Sequence, residues 1–263
     1  MPNDPCTPSL APFCVHIGLP KTATKTLQRR CFPKHRQINF LGSHAPDSAP
    51  ARKHYRTEAD EHLLRPIFES PKSIRRDSAT EARNRWCAAN GDDARVPLWS
   101  REGLSINSRT TRRQRAEAMR CSLGDCTVLI TIRNPQKLIE SAYFQYLKRH
   151  AKWQRNSQRK EPLFLSADRW FRRICQPGRN VGHLDYKHSI DTFANVFGRD
   201  SVKVFLFEHL VQDFVQFVAK MFQAIGVDPA QVTEPIRNER ENNRWTVEQV
   251  ARLARIGRNP WRA

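Results

Sequence analysis

No stretch of this chain approaches the ~20 consecutive apolar residues that cross a bilayer. Met1 to Pro12 carries no basic segment followed by a long apolar one, so no secretory leader is expected either. Cysteine pairs at C-x-x-C spacing are missing. The seven cysteines (Cys6, Cys14, Cys31, Cys87, Cys121, Cys126 and Cys175) are odd in number and scattered, and no Cys/His cluster has metal-ligand spacing. The expectation is a cytoplasmic protein with reduced thiols and no bound metal. Acidic residues are scarce: 26 Asp and Glu stand against 45 Lys and Arg, a formal net charge of +19. A surplus of that size implies an anionic partner, whether a nucleic acid, an anionic nucleotide, a polyanionic acceptor or a membrane surface. Hydrophobic residues make up 39% of 263 positions, enough to build a core and to exclude disorder throughout.

What is present is an alternation of strand and helix patterns. Short apolar runs at Phe13 to Ile17, Gln37 to Gly42, Val96 to Ser100, Cys126 to Arg133 and Ser201 to Phe207 read as strands. The fourth is β-branched and without polar alternation, as a strand buried on both faces requires. Helical patterns lie between them, from Thr22 onward, within Lys53 to Asn90, and over Thr110 to Arg120, Phe164 to Cys175, His183 to Phe197 and Asp213 to Ile225. Another starts at Asn134, with Asn as cap and Pro135 in the first turn, and is expected to run to about His150. Ala151 to Glu161 reads as a mobile basic insertion, and Glu234 onward as a polar tail ending in one more helix. Strands alternating with helices give an α/β fold, a parallel sheet covered by helices on both faces. One domain spanning 1–263 is expected, with its core at about 13–226.

The stretch on which the chain turns is FCVHIGLPKTATKTLQ, from Phe13 to Gln28. A buried strand stops at Gly18 and Pro20, and a helix opens with Thr and Lys. Backbone N–H groups, hydroxyls and ammonium groups converge in such a turn, which suits a phosphate or sulfate ester. A Walker A loop would need Gly-Lys-Ser/Thr at its end, yet counting from Gly18 puts Ala23 at the second glycine and Thr24 at the lysine. Here the lysine, Lys21, lies inside the turn.

A second stretch completes the pattern. Arg133-Asn134-Pro135 follows the fourth strand, Ser141 lies eight residues after the arginine, and Tyr143 shortly beyond. A guanidinium offers two parallel hydrogen bonds to a phosphate and a serine adds a neutral donor.

Together these stretches resemble the sulfotransferases that use 3′-phosphoadenosine 5′-phosphosulfate (PAPS). Their phosphosulfate loop runs strand, Gly-x-Pro-Lys, then small and hydroxyl residues and a leucine, and Gly18 to Leu27 matches it except at Lys25, where a small hydroxyl residue is more usual. The resemblance reaches from Cys14 to Gly226, and Phe205 to Leu210 is similar to a further strand-end run of the family. It implies a three-layer fold like that of P-loop nucleoside-triphosphate hydrolases and an enzyme that transfers a sulfuryl group from PAPS to a hydroxyl or amine. Lys21 would then stabilise the leaving oxygen, and Lys21, Thr22, Ala23, Thr24, Lys25 and Thr26 would hold the 5′-phosphosulfate. Arg133 and Ser141 would hold the 3′-phosphate.

Glu102, in the turn after the third strand, is the first candidate for the general base, and His44, in the loop after the second, is the other. His16, Glu208 and His209 read as structural. The R-K-G-x-x-G run of family members that act on small phenols and steroids has no counterpart, which favours the bacterial type that modifies carbohydrates or lipids. An anionic glycan or lipid acceptor would also suit the basic charge. Two other readings stand beside this one: a P-loop nucleotide kinase or hydrolase, and a non-catalytic nucleic-acid-binding protein, although no recognised nucleic-acid module is present.

Overall fold

The computed structural model describes residues 12–42, 55–91, 93–104, 109–156, 165–176 and 184–233. His44, the loop around it and the tail from Glu234 therefore lie outside the described residues, as does 157–161 of the basic segment.

Five strands form one sheet: β1 (Phe13–Gly18), β2 (Ile38–Phe40), β3 (Val96–Ser100), β4 (Cys126–Ile132) and β5 (Val202–Leu206). Their spatial order is β2-β3-β1-β4-β5 and every pairing is parallel. The chain is thus α/β, as its alternating pattern predicts. The apolar run of β1 takes the centre, and every residue of it is buried. β4 lies beside it, flanked by β1 and β5. Because all strands run the same way, the residues that follow β1, β3 and β4 emerge at one edge, the usual place for ligands in such sheets.

Strand residues alternate between two apolar layers. Phe13, Val15, Ile17, Trp99, Val128 and Ile130 pack with α2 (Glu58–Glu69), α3 (Arg76–Asn90), α4 (Arg109–Leu123) and α7 (Tyr186–Phe197), contributing Leu63, Trp86, Met119 and Phe193. Cys14, Leu98 and Leu129 face the other way, onto Leu27 of α1 (Thr24–Arg30) and onto Phe217 and Met221 of α9 (Phe214–Ala224). The six described cysteines, all but Cys6, are free thiols.

Several boundaries differ from the sequence-based expectation. The first helix begins at Thr24 rather than Thr22, because Lys21 and Ala23 adopt left-handed backbone angles incompatible with a helix. The helix after Asn134, α5 (Pro135–Asn156), is longer than expected and takes in the first half of the segment read as a mobile insertion. Dense charge marks a solvated face and does not by itself end a helix. Asn134 caps α5 as expected, its Oδ1 accepting from Lys137 N–H at 3.2 Å. Of the two aromatics on α6 (Ala167–Ile174), Trp170 is buried against Tyr143 and Tyr146, whereas Phe171 is exposed. The last described helical stretch divides into α8 (Phe207–Gln212) and α9. Asp213 separates them and caps α9 through Gln216 N–H.

Candidate functional site

The loop between β1 and α1 is held tightly from below. Leu19 N–H donates to Thr131 C=O at 3.2 Å, tying the end of β1 to β4. A Cβ at Gly18 would collide with Thr24 Oγ1 and lie 3.1 Å from His16 Cε1, so the strand must end in glycine for the loop to fold down upon it. Lys21 has φ 68° and Ala23 φ 60°, and each left-handed L-residue costs about 1–3 kcal/mol. Backbone strain of this kind gathers at ligand clamps. Thr22 Oγ1 donates to Leu19 C=O at 2.6 Å, which commits its proton to the loop. Thr24 Oγ1 is buried and finds no hydrogen-bond partner among the described residues. Thr26 is buried one residue from exposed Lys25.

Lys21 and Arg133 meet directly. Arg133 Nη1 donates to the Lys21 carbonyl oxygen at 3.0 Å. The arginine is only 8% exposed, and its guanidinium lies 4.6 Å from the Phe207 ring centroid. Its backbone is fixed as well: Tyr186 Oη donates to Arg133 C=O at 2.5 Å, and Glu208 Oε1 accepts from Asn134 N–H at 2.9 Å. Burial pushes the Tyr186 phenol up to about 12, so it stays a donor. Sequence reasoning missed Tyr186 and Phe207 as supports of Arg133 and left Glu208 without a partner. The signal available was the strand-end run Phe205 to Leu210.

The Lys21 ammonium is half-buried, and its pKa is lowered from the ordinary lysine value. Desolvation is the largest cause, and Lys148, Arg133 and Lys25 push the same way; Glu102 opposes them. Four cationic groups and one carboxylate therefore share the sheet edge around the loop. Lys148 is the unexpected member. It follows Ser141 by seven residues on α5, two turns along one helix face. Ser141 is half-buried within α5.

Glu102 is placed by a clamp on the turn after β3. Arg115 Nη1 donates to Gly103 C=O at 2.7 Å, and its Nη2 and Nε donate to Phe68 C=O at 2.9 and 3.2 Å. The Phe68 ring has the guanidinium carbons of Arg101 and Arg115 at 4.2 and 4.3 Å from its centroid. Lys21, Arg133 and Glu102 are thus brought to one edge, and His209 lies within the short helix α8 (Phe207–Gln212) that follows β5.

Neither a protein-family model nor a curated protein matches the chain. Among solved structures it is similar to a sulfotransferase from Alicyclobacillus acidocaldarius, at 21% identity over 94% of this chain and 91% of that one, with a TM-score of 0.48. It is also similar to mouse sulfotransferase SULT7A1 complexed with PAP (14% identity, 94% and 64% coverage, TM-score 0.41). A third is the sulfotransferase domain of the Synechococcus PCC 7002 olefin synthase (13% identity, 96% and 96% coverage, TM-score 0.43). These three are sulfotransferases or sulfotransferase domains. At such identities and scores, the residues of the site themselves carry the functional reading.

In the described residues no group of three or more His, Cys, Asp and Glu is placed to hold a metal, and no helix is long and apolar enough to cross a membrane.

Proposed function

We propose that this chain is a PAPS-dependent sulfotransferase, a single domain that transfers a sulfuryl group to a hydroxyl or amine of an acceptor. The observation that carries the reading is the hydrogen bond between the Arg133 guanidinium and the Lys21 backbone, which joins a lysine-bearing anion loop to an arginine one strand away. Adjoining cationic groups from two neighbouring strand ends suit a nucleotide that carries more than one phosphate-type group.

The loop residues fit such a ligand. Lys21 lies among like charges, so an anion there relieves repulsion as well as adding attraction. The buried Thr24 hydroxyl lacks a protein partner among the described residues and would find one in a ligand oxygen. PAPS would supply the activated sulfuryl group. Lys21, with the loop amides and Thr24, would hold its phosphosulfate end, and Arg133 with Ser141 its 3′-phosphate. During transfer the bond from sulfur to the phosphate oxygen breaks as the acceptor oxygen bonds to sulfur. Glu102 takes the acceptor's proton, and Lys21 stabilises the charge left on the phosphate oxygen. Lys148 stands at the same end of the site as Lys21 and adds positive charge where an anionic glycan or lipid headgroup would be received.

Calorimetric titration with adenosine 3′,5′-bisphosphate, AMP and ATP tests the reading on wild type and Arg133→Ala. Tight binding of the bisphosphate alone, collapsing in the variant, supports it. Equal binding of all three, or none, overturns it, and tight ATP binding alone points to a kinase or hydrolase.

A further inference from the structure

His16 is fully buried, on β1, two residues before the loop. Its side chain faces the α1 and α9 layer, where Cys14, Leu98 and Leu129 are apolar. The polar side chain at this depth is explained by what it touches on either side. His16 Nδ1 lies 2.8 Å from Ser100 Oγ on β3, and Nε2 lies 3.2 Å from Thr131 Oγ1 on β4. Ser100 and Thr131 are themselves 4% and 0% exposed. One imidazole therefore spans three adjacent strands. Gln28 of α1 joins the same group, donating from Nε2 to Ser100 C=O at 2.9 Å and to Ser100 Oγ at 3.2 Å. The Phe32 ring packs edge-on against the imidazole at 5.4 Å.

Each strand in this bridge ends in one part of the site. Glu102 follows Ser100 by two residues, Arg133 follows Thr131 by two, and Lys21 follows His16 by five. Backbone hydrogen bonds repeat the ties: Arg101 N–H donates to His16 C=O at 3.0 Å, and Leu19 N–H donates to Thr131 C=O. Main-chain bonds alone set strand spacing, and they would serve any sequence. The buried side-chain bridge adds a lateral constraint that an apolar residue could not supply, and one that is costly to leave half satisfied.

We propose that His16 is a positioning residue, whose two ring nitrogens separately fix the Glu102 turn and the Arg133 strand end relative to the Lys21 loop. The proposal rests on the sulfotransferase reading for the ligand used to test it. Its distinctive content is that the two nitrogens do different work. Asn places its amide near the position of Nδ1 and Gln near that of Nε2. His16→Asn keeps the tie to Ser100 and releases Thr131; His16→Gln keeps Thr131 and releases Ser100.

Adenosine 3′,5′-bisphosphate affinity by calorimetry, with thermal unfolding of each variant in parallel, decides the matter. His16→Asn is expected to weaken binding about tenfold, because Arg133 loses its lateral anchor, while His16→Gln changes it less than threefold. Thr131→Val, a near-isosteric and milder change, is expected to follow His16→Asn, and Ser100→Ala to follow His16→Gln. If all four variants bind as wild type does, or lose affinity only in proportion to lost stability, His16 is a structural residue and the proposal fails. Failure of the wild type itself to prefer the bisphosphate over AMP would sink the functional reading instead.

Discussion

Arg133 reaches across from β4 and donates a hydrogen bond from Nη1 to the backbone carbonyl of Lys21, 112 residues earlier in the chain. The arginine thus supports the strained loop, and on the proposed reading it holds the nucleotide as well. With Phe207 beneath the guanidinium and Tyr186 holding the carbonyl, its position is fixed before any ligand arrives.

Arg133→Lys is therefore expected to fail almost as badly as Arg133→Ala. A lysine keeps the charge but loses the planar fork and the stacking on Phe207, and it cannot hold phosphate and the Lys21 carbonyl together. With charge-assisted hydrogen bonds at roughly 1.5–3 kcal/mol each, affinity for adenosine 3′,5′-bisphosphate should drop about ten- to a hundredfold. Titration calorimetry reads this directly. A lysine variant binding within threefold of wild type would show that charge alone matters.

Lys21 sets a pH dependence. Its pKa is lowered in the ligand-free protein, chiefly by desolvation, with Glu102 as the opposing influence. On the proposed reading the charged form holds the anion, so affinity should hold below that pKa and fall as pH rises through it, in a window beginning below the ordinary lysine value of 10.5. Glu102→Gln removes the acid that favours the ammonium, so the fall should move to lower pH. Bisphosphate titrations across the alkaline range measure both. An unmoved profile in Glu102→Gln would separate the two groups, and a flat one would remove Lys21 from the binding step.

The turn that carries Glu102 tolerates little added volume. A Cβ at Gly103 would lie 2.5 Å from Phe68 Cε2, and that ring is already hemmed by Arg101 and Arg115. Gly103→Ala should cost about 1–3 kcal/mol of stability as an overpacked site. If the proposed reading holds, sulfuryl transfer should fall further than bisphosphate affinity, since the added volume strains the turn that carries Glu102 and not the Lys21 loop. Urea unfolding checks the first part, and Gly103→Ala with wild-type stability would contradict it.

Much of this arrangement is legible in the chain itself, for identifiable reasons. β1 and β4 are apolar or β-branched runs closed by Gly18-Leu-Pro20 and Asn134-Pro135, so strand, turn and following helix are all local signals. Lys21 and Arg133 are legible because each sits at a strand's end within a spaced motif. Lys148 is not: its relation to Lys21 depends on where α5 runs, and that depends on tertiary packing. The bridge from His16 to Ser100 and Thr131 joins residues 84 and 115 apart, and no local spacing encodes such a contact. A lone histidine in an apolar run signals only that some partner must exist. The extension of α5 to Asn156 is missed because Lys, Arg and Gln are strong helix formers as well as loop residues.

His16 also gives the fold an acid sensitivity of definite sign. Burial lowers its pKa from 6.5 to about 3, so the folded protein keeps the ring neutral where the unfolded chain would protonate it. Between those values the unfolded state binds more protons, and stability rises with pH. The contribution is fully present above about pH 6.5 and is lost as pH falls toward 3, with a slope of at most about 1.4 kcal/mol per pH unit. His16→Gln has no such group. Urea unfolding of both proteins at pH 7.5 and pH 5 should therefore show wild type losing about 2 kcal/mol more than the variant over that interval. Other titrating groups, His35 among them, are common to both proteins and cancel in the difference. Equal losses would mean that the ring is protonated in the folded state. The imidazole would then donate from both nitrogens, with Ser100 and Thr131 accepting, and the bridge would be a buried cation rather than a neutral tie.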